Sequence, residues 1–375
     1  MPVESTHVAV LFGGPSPEHD VSILTGLLAC HDLLGRRSAE LLRAVYWSRN
    51  GAFFDVDPAL EAVAFIDGTP DGASGIELQL GPDGGFSQKK GRFGGTSRIR
   101  ADVIVNCCHG GPGEDGTLQG ALDLAGLSYT GPTAIGAALG MDKLATAGLL
   151  QGAGIPTLPR VALHKDSGPP SFDGPYIVKP RFGGSSIGIE VVADFTTALL
   201  RLDANVHLRR GAVLEPYRED LGDLQIGVRT WPAVELSAIE RPVRQRADAE
   251  ILDYRDKYVG GEGMHAAPRE LPAAVSDDLA ARLESAALAC VQLLQIRGIA
   301  RIDFLAAGEE LYLNEVNTIP GSLSRHLFIA PARSFAVLLD DLIAEAQRSP
   351  SVQFSSAGAD GSILRSAGSI ASKLS

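Results

Sequence analysis

The 375-residue chain is poor in several residue types, and each scarcity excludes a class of protein. It has four cysteines, Cys30, Cys107, Cys108 and Cys290, with no CxxC or Cys/His spacing, which argues against a thiolate metal site and for a reduced protein. Cys107 and Cys108 precede His109, and a catalytic thiol there is the minor alternative to buried, unreactive cysteines. Lysine is also rare, with seven residues against 26 arginines, so the positions of lysines within motifs are informative.

A basic surface and long apolar runs are missing as well. The net charge of −12 argues against a nucleic-acid partner, although a local cluster of cations can still bind an anionic small ligand. No apolar run approaches the ~20 residues of a membrane span, and the N-terminal residues lack the basic segment of a secretory signal. Hydrophobic residues at 45% and charged residues at 21% are globular values. We therefore expect a cytoplasmic protein of two or three domains, with no membrane partner.

Strand-like and helix-like segments alternate along the first third of the chain. Apolar runs such as VAVLF and DVIVN end in glycine turns, and helical segments such as SILTGLLACHDLL and TLQGALDLA follow them. This alternation predicts an α/β domain with a parallel sheet, whose ligand loops lie at the carboxyl ends of the strands. Farther on we expect a continuous helix to about Gly154, a functional loop at 253–272, a helix capped by Ser276 and a poorly ordered tail from residue 350.

The segment RIDFLAAGEELYLNEVNTIPG, residues 301–321, predicts a hairpin that turns near Gly308 and gathers polar groups at its open end. Because side chains alternate between the faces of a strand, Arg301 and Asp303 share a face of the first strand. One face of the second strand is expected to hold Leu311, Leu313, Glu315 and Asn317. Two carboxylates and an amide oxygen are ligands that Mg²⁺ prefers, with phosphate oxygens completing the shell. The alternative is a solvated hairpin with ordinary surface charges.

Three glycine-rich segments are candidate ligand-binding loops; one could bind phosphate, and the other two contain carboxylates. KPRFGGSSIG is not a Walker A loop, yet its glycines let backbone N–H groups approach a triphosphate closely; a flexible hairpin loop is the alternative. In LFGGPSPEHD and HGGPGEDGTLQG, carboxylates lie between a strand and a helix. There Glu18 can bind a ligand amine or favour the helix start, and Asp115 can cap a helix.

Several motifs occur in a fixed order, namely LFGGPSPEHDVS, HGGPGEDGTLQG, YTGP, MDK, IVKPRFGGSSIG, YRDKY, RIDF and NEVNTIPG. Together they closely resemble the D-alanine–D-alanine ligases of the ATP-grasp superfamily, from about residue 7 to about residue 345. The resemblance implies a three-domain α/β (α+β) ATP-grasp fold, with an N-terminal parallel-sheet pre-ATP-grasp domain at 1–131 and ATP-grasp domains at 132–216 and 217–349. It also implies an enzyme that uses ATP and two Mg²⁺ ions, which Mn²⁺ can replace, to join two D-alanines through an acyl phosphate for peptidoglycan synthesis.

The resemblance further assigns roles to individual residues. The nucleotide-binding residues would be Lys143, Lys179, Gly183, Gly184, Ser186, Glu215, Asp223, Lys257 and Asn317, with Glu215 near the adenine amine and Asp223 near the ribose. The metal ligands would be Asp303, Glu315 and Asn317. The catalytic residues would be Glu18, Ser185, Tyr258, Arg301 and Gly321, among which Glu18 contacts the first ammonium group. The substrate-binding residues would be Glu18, His109, Arg301, Gly321 and His326.

Two departures from the family pattern affect the expected substrate and nucleotide contacts. The family usually has a Ser where this chain has His326, the residue expected to hold the second carboxylate, so the second substrate is left open. The stretch REDLGDLQIGVRTW also matches poorly around Asp223. Tyr258 stands where D-alanine–D-lactate ligases usually have a His, and so favours an amine nucleophile. The alternatives are an ATP-grasp ligase that joins other amino acids in natural-product biosynthesis and a regulator that only binds nucleotide. A homodimer is expected from the family.

Overall fold

The computed structural model describes residues 6–81, 83–89, 94–243, 269–349, 354–367 and 369–370, and its strands form three sheets in chain order. The first sheet contains β1 (Val8–Gly13), β2 (Leu42–Trp47), β3 (Phe53–Val56), β4 (Ser74–Gln79), β5 (Gly85–Lys89), β6 (Thr96–Arg98), β7 (Val103–Asn106) and β8 (Ser128–Tyr129). Its helices are α1 (His19–Leu34), α2 (Gly111–Glu114) and α3 (Thr117–Leu124).

Only half of the first sheet is parallel. The strand order is β6-β5-β4-β3-β2-β1-β7-β8, and the pairs within β2-β1-β7-β8 are parallel, as predicted. The strands from β3 to β6 pair antiparallel instead, and they follow one another without the crossover α-helix that usually joins parallel strands. The expected parallel sheet is therefore confirmed for the β2-β1-β7-β8 half and extended by an antiparallel half.

The second sheet is antiparallel and follows a pair of helices. The helices are α4 (Ala134–Met141) and α5 (Lys143–Gly152), and the sheet has the order β11-β10-β12-β9, with β9 (Val161–Leu163), β10 (Tyr176–Pro180), β11 (Glu190–Val192), α6 (Phe195–Ala204) and β12 (Ala212–Pro216). The continuous helix expected to about Gly154 is broken at Asp142, whose ψ of 100° is extended. Its side chain accepts hydrogen bonds from the backbone N–H groups of Leu144 and Ala145 and so starts α5.

The third sheet has the order β15-β14-β13-β16-β17 and is covered by one long helix. Its elements are β13 (Gly222–Arg229), β14 (Glu235–Pro242), β15 (Arg269–Glu270), α7 (Asp277–Leu293), β16 (Ile299–Ala307) and β17 (Glu310–Asn317). The Ser276 hydroxyl accepts from Leu279 N, which confirms the predicted cap of α7. A 3₁₀ helix (Gly321–Leu327), α8 (Phe335–Arg348) and α9 (Ser362–Ser366) follow, and no described tail residue from 354 onward is buried.

The part of the first sheet that contains β1 is buried on both faces, which explains the continuous apolar run of this strand. Val8, Val10 and Phe12 pack with α1 and α8, whereas Ala9 and Leu11 pack on the opposite face with α3. The helix α8 thus returns to the first sheet, although it follows the third sheet in the chain. None of the helices that the structure describes combines the length and the apolar character that a membrane crossing requires.

The return of α8 to the first sheet yields a stability prediction. Ile343 of α8 is fully buried in the core that the first sheet forms with α1 and α8, whereas Val337 of the same helix is 44% exposed. Ile343→Ala is expected to lower the free energy of unfolding by about 2–5 kcal/mol, since the lost contacts leave a cavity. The control Val337→Ala should change it by less than ~0.5 kcal/mol. Urea denaturation measures both; equal effects would contradict the packing of α8.

Candidate active site

A bulge in the β16–β17 hairpin places the predicted metal ligands together. Asp303 pairs with Glu315, but the next residue, Phe304, pairs with Leu313, so Asn314 has no partner on β16. Such a bulge shifts the alternation of side chains by one residue. The expectation that Leu311, Leu313, Glu315 and Asn317 share one face is therefore wrong. The two leucines pack with Val316 in the core of the third sheet, whereas Glu315 and Asn317 line a cavity on the other side of the strand.

The acidic groups at this end of the hairpin lie against cations. Arg301 donates from Nε and Nη2 to the two oxygens of Asp303 at 2.7 and 2.8 Å, and Asn317 Nδ2 donates to Asp303 Oδ2 at 3.1 Å. The Lys143 ammonium lies 3.8 Å from Glu315 Oε2. In the described part of the chain no cluster of three or more His, Cys, Asp or Glu side chains is suited to a metal. The two carboxylates and one amide fit a hard cation that takes its other ligands from phosphate or water.

A cavity of about 800 Å³ lies between the second and third sheets, beside this hairpin. Asp303 and Glu315 line it from the third sheet together with Asp223, while Lys179 and Glu215 line it from the second. Lys179 Nζ donates to Glu215 Oε2 at 2.8 Å. Burial by itself raises the pKa of Glu215, but the charges of Lys179 and Arg160 outweigh burial and lower the pKa to about 2. Glu215 is thus a buried, ionised carboxylate.

A second cavity, of about 440 Å³, adjoins the first, and its lining includes Glu18, Lys143, the glycine-rich loop and the end of β17. Lys143, the first residue of α5, reaches into it and donates from Nζ to the Gly183 carbonyl oxygen of the glycine-rich loop. Burial lowers the pKa of Lys143, and the charge of Glu315 opposes this shift. The two predicted phosphate-binding lysines therefore line two adjoining cavities, which share Glu315 in their linings.

The glycine-rich loop also contacts the first sheet. Ser185 Oγ donates to Glu18 Oε2 at 2.5 Å, which joins the two predicted substrate residues. Ser185 and Ser186 have φ values of 52° and 58°, a strained left-handed conformation that is typical of functional loops. A Cβ atom on Gly110 would lie 2.4 Å from Glu18 Oε1, so this position must be glycine for Glu18 to enter the cleft.

The interpretation of the sequence missed Glu114 as a functional residue. Its carboxylate accepts from Gly110 N at 2.9 Å and from Ile319 N at 2.8 Å, and it also bonds Thr318 Oγ1. Burial raises the pKa of Glu114 to about 7, and the nearby Glu18 charge adds to the shift. The only sequence signal was its position between the glycines of HGGPGEDG, because two of its three partners, Thr318 and Ile319, are about 200 residues away.

His109 links the first sheet to the segment that precedes Gly321. Ile319 O accepts from His109 Nδ1 at 2.7 Å, so Nε2 accepts the hydroxyl proton of Thr25, also at 2.7 Å. Burial lowers the pKa of His109 to about 4, and its ring is neutral. Both ring nitrogens are bound by the protein, so the His109 ring is held in place. Gly321 is buried at the start of the 3₁₀ helix.

The position that departs from the family pattern lies near Arg301. His326 Nε2 is 3.2 Å from Glu240 Oε2, and Arg269 Nη1 is 3.1 Å from Glu240 Oε1. The charge of Arg301 also acts on Glu240. Two predicted site residues, Lys257 and Tyr258, lie outside the described residues.

The fold and the site together define an ATP-grasp ligase. The features concerned are the three sheets, the cavity between the second and third, the two buried lysines that face two carboxylates, and the glycine-rich loop beside them. Two family models match the chain: D-ala D-ala ligase N-terminus over residues 7–132 and D-ala D-ala ligase C-terminus over residues 149–346. The chain therefore belongs to the D-alanine–D-alanine ligase family. The predictions of this family, of the three-domain fold and of an ATP-dependent enzyme are confirmed.

Curated relatives and solved structures agree with this assignment. The D-alanine–D-alanine ligase of a Bradyrhizobium species (strain ORS 278) is 32% identical over 365 residues, covering 92% of this chain and 96% of the relative. That of a Nitratiruptor species is 30% identical over 348 residues, covering 92% of this chain and 95% of the relative. The crystal structure of the Helicobacter pylori D-alanine–D-alanine ligase has a TM-score of 0.71 at 25% identity, covering 91% of this chain and 98% of that one. The structure of the Coxiella burnetii enzyme, at 23% identity and a TM-score of 0.74, covers 92% of this chain and 95% of that one and shares the fold. The natural-product alternative finds no support.

The raised pKa of Glu114 predicts a pH-dependent stability. The ordinary pKa of 4.5 applies to the unfolded chain and a pKa of about 7 to the folded protein, so the folded state binds more protons between these values. The contribution of Glu114 is therefore full below about pH 4.5 and is lost as the pH rises through about 7. Between about pH 6 and about pH 8.5, the melting temperature of the wild type should fall more than that of Glu114→Gln.

Differential scanning fluorimetry across that pH range measures the difference. Glu77→Gln is the control, because Glu77 is exposed and pairs only at the surface with Lys89. This control should keep the wild-type pH dependence. An unchanged pH dependence in Glu114→Gln would show that the buried carboxyl does not titrate there.

Proposed function

We propose that this ligase binds ATP between its second and third sheets and joins two D-alanine molecules through an acyl phosphate. The observation that carries the proposal is that Lys179, Asp303 and Glu315 line the larger cavity, while Lys143 lines the adjoining one and lies 3.8 Å from Glu315. Two ammonium groups suit the anionic phosphates of ATP, and the carboxylates suit the cation that accompanies them. The products are D-alanyl-D-alanine, ADP and phosphate, and the dipeptide serves peptidoglycan precursor synthesis.

The nucleotide contacts follow the two lysines. Lys143 and Lys179 bind the ATP phosphates, and the backbone N–H groups of the glycine-rich loop approach the same oxygens; the loop residues involved are Gly183, Gly184 and Ser186. Glu215 lies at the adenine end of the cavity, and Asp223, which lines the same cavity, is the ribose contact. Lys257 is proposed as a further nucleotide contact.

Asp303, Glu315 and Asn317 are proposed to hold two Mg²⁺ ions, which Mn²⁺ can replace. Bound there, the ions neutralise charge on the phosphoryl group during its transfer. The protein contributes the two carboxylates and the amide oxygen, which requires the Asn317 amide to turn its oxygen toward the cleft. Arg301 is paired with Asp303, and its positive charge offsets the negative charge at this end of the hairpin.

The amino-acid subsites lie beside the first sheet. Glu18, which accepts a hydrogen bond from Ser185, binds the ammonium group of the first D-alanine. Tyr258 is proposed as a second hydrogen-bonding partner of Glu18. A carboxylate oxygen of this D-alanine attacks the γ-phosphorus, and ADP leaves. The amine of the second D-alanine, having lost a proton, then attacks the acyl carbon and phosphate leaves. Arg301 and the Gly321 N–H stabilise the tetrahedral oxyanion, and His326 binds the second carboxylate.

Three broader expectations belong to this proposal. The domain bounds are 1–131, 132–216 and 217–349, in agreement with the residue ranges of the three sheets. The protein acts in the cytoplasm, and it forms a homodimer. Nucleic acid and membranes are not partners.

Glu315 gives the first test of the site. Glu315→Gln keeps the shape of the side chain but removes a charged metal ligand, so ATP turnover should fall more than ~100-fold while the fold is unchanged. Glu310→Gln is the matched control, since Glu310 lies on the same strand at the exposed end of the hairpin. Coupled assays of ADP release and circular dichroism measure both variants. A Glu315→Gln enzyme that is as active as the control would refute the metal site.

The substrate is tested with a panel of amino acids. Phosphate release from ATP and Mg²⁺ is measured with each of several D- and L-amino acids, and the product is identified by mass spectrometry. D-alanine should give phosphate and D-alanyl-D-alanine in equal amounts. Release with L-amino acids and none with D-alanine would overturn the proposed substrate.

A further inference from the structure

Arg160, in the connection between α5 and β9, is a buried arginine that contacts three separate parts of the cleft. Its side chain is only 3% exposed. The Nε atom donates to Glu215 Oε1 at 2.6 Å, Nη1 donates to the carbonyl oxygen of Lys143 at 2.8 Å, and Nη2 donates to the carbonyl oxygen of Asn314 at 3.1 Å. One guanidinium thus connects β12, the first residue of α5 and the bulge of β17.

Arg160 also sets the charge balance next to the larger cavity. Glu215 has two cationic partners, because Lys179 Nζ donates to its other oxygen at 2.8 Å. The three ionised side chains together carry a net charge of +1, and all are almost excluded from water. Without Arg160 the Lys179–Glu215 pair would be neutral. In a site of low dielectric constant, a net positive charge attracts an anion much more strongly than it does in water.

Arg160 lines the smaller cavity together with Lys143, Gly183 and Gly184, whereas Lys179 and Glu215 line the larger one. Each of the three nitrogens of its guanidinium already donates to the protein. Arg160 therefore acts on the proposed ATP site through Glu215 and through the backbone of Lys143 and Asn314. Glu215 is ionised, with a pKa of about 2, so it requires a cationic partner even when Lys179 binds another anion.

We propose that Arg160 is a positioning residue for the nucleotide: it neutralises Glu215 and so leaves the positive charge of Lys179 available to the phosphates of ATP. This inference rests on the proposed binding of ATP in the larger cavity. Arg160 also fixes the Lys143 and Asn314 carbonyls, so that both phosphate-binding lysines keep their places as the ligand enters.

The competing role for Arg160 is support of the cleft without any effect of its charge. A distorted cavity would lose affinity for every ligand that fills it. A lost charge, in contrast, weakens ligands that carry phosphate and leaves uncharged ones nearly unaffected. ATP and adenosine share the base and ribose but differ in the phosphates, so their affinities separate the two roles.

The experiment compares Arg160→Met with the wild type by isothermal titration calorimetry, using ATP with Mg²⁺ and adenosine, without amino acid. Affinity for ATP should fall about tenfold or more, and affinity for adenosine by less than about threefold. In steady-state assays, KM for ATP should rise similarly while KM for D-alanine changes by less than about threefold. Arg160→Lys keeps the charge and should recover most of the ATP affinity.

Arg229→Met is the matched control. Arg229 is buried to a similar degree and is paired with Glu235 and Asp341, but it lines neither cavity of the cleft. This variant should lose thermal stability, as expected for a buried arginine, yet keep wild-type affinities for ATP and adenosine. It therefore corrects for general destabilisation.

Equal weakening of ATP and adenosine in Arg160→Met, or no weakening of ATP, would overturn the proposal. If Arg160→Met does not fold, Arg160→Gln is the second neutral variant; failure of both to fold, while Arg229→Met folds, would also overturn it by placing the role of Arg160 in the fold. A wild-type protein that does not bind ATP would instead refute the proposed function. A wild type that binds ATP, with an unaffected Arg160→Met, would refute only this inference.

Discussion

The cleft of this protein depends on pairing its buried charges. A carboxylate or ammonium group that leaves water without a partner is strongly destabilised, whereas a well-placed opposite charge offsets most of the cost. Glu215 with Lys179, and Asp303 with Arg301, meet this condition with partners from neighbouring strands or from the same strand. The cleft can therefore bury these groups only because their charges are balanced within the protein. When a phosphate or a divalent cation binds, it takes the place of one of these internal partners, so the charged side chains are already in position to bind it.

The same need for partners joins the first sheet to the hairpin of the third. Both polar groups of the Ile319 backbone are bound by residues that follow β7, since Glu114 accepts its N–H and His109 donates to its carbonyl oxygen. Thr25 of α1 continues the chain of bonds by accepting from Ser322 N at 3.0 Å. Gly321 lies between these two fixed points. The backbone proposed to bind the oxyanion is therefore held by the first sheet, which explains why residues so far apart in sequence must fold together.

Local patterns in the sequence predicted local structure well. Gly308 indicated the turn of the hairpin, Ser276 indicated a helix start, and the glycine-rich segment indicated a loop between two strands. The bulge at Asn314 was not predictable from alternation, because a bulge leaves the residue types unchanged and alters only their pairing. Arg160 was missed for a related reason: a single arginine in a connection gives no pattern, and its partners are 17 to 154 residues away. Long-range pairing of charges is a property of the fold.

The cluster around His326 repeats the arrangement around Glu215. Glu240 is a buried carboxylate whose pKa burial alone would raise, but His326, Arg269 and Arg301 outweigh burial and lower it. Glu240 and His326 thus lie beside two arginines, Arg269 and Arg301, as Glu215 lies beside Lys179 and Arg160. The Nδ1 atom of His326 is buried and has no hydrogen-bond partner among the described residues. A carboxylate that reached this atom would supply the missing partner and lie near these two arginines. A hydroxyl group at this position would provide neither the charge nor the reach, so the replacement of Ser by His changes how a second substrate is held without removing the means to hold it.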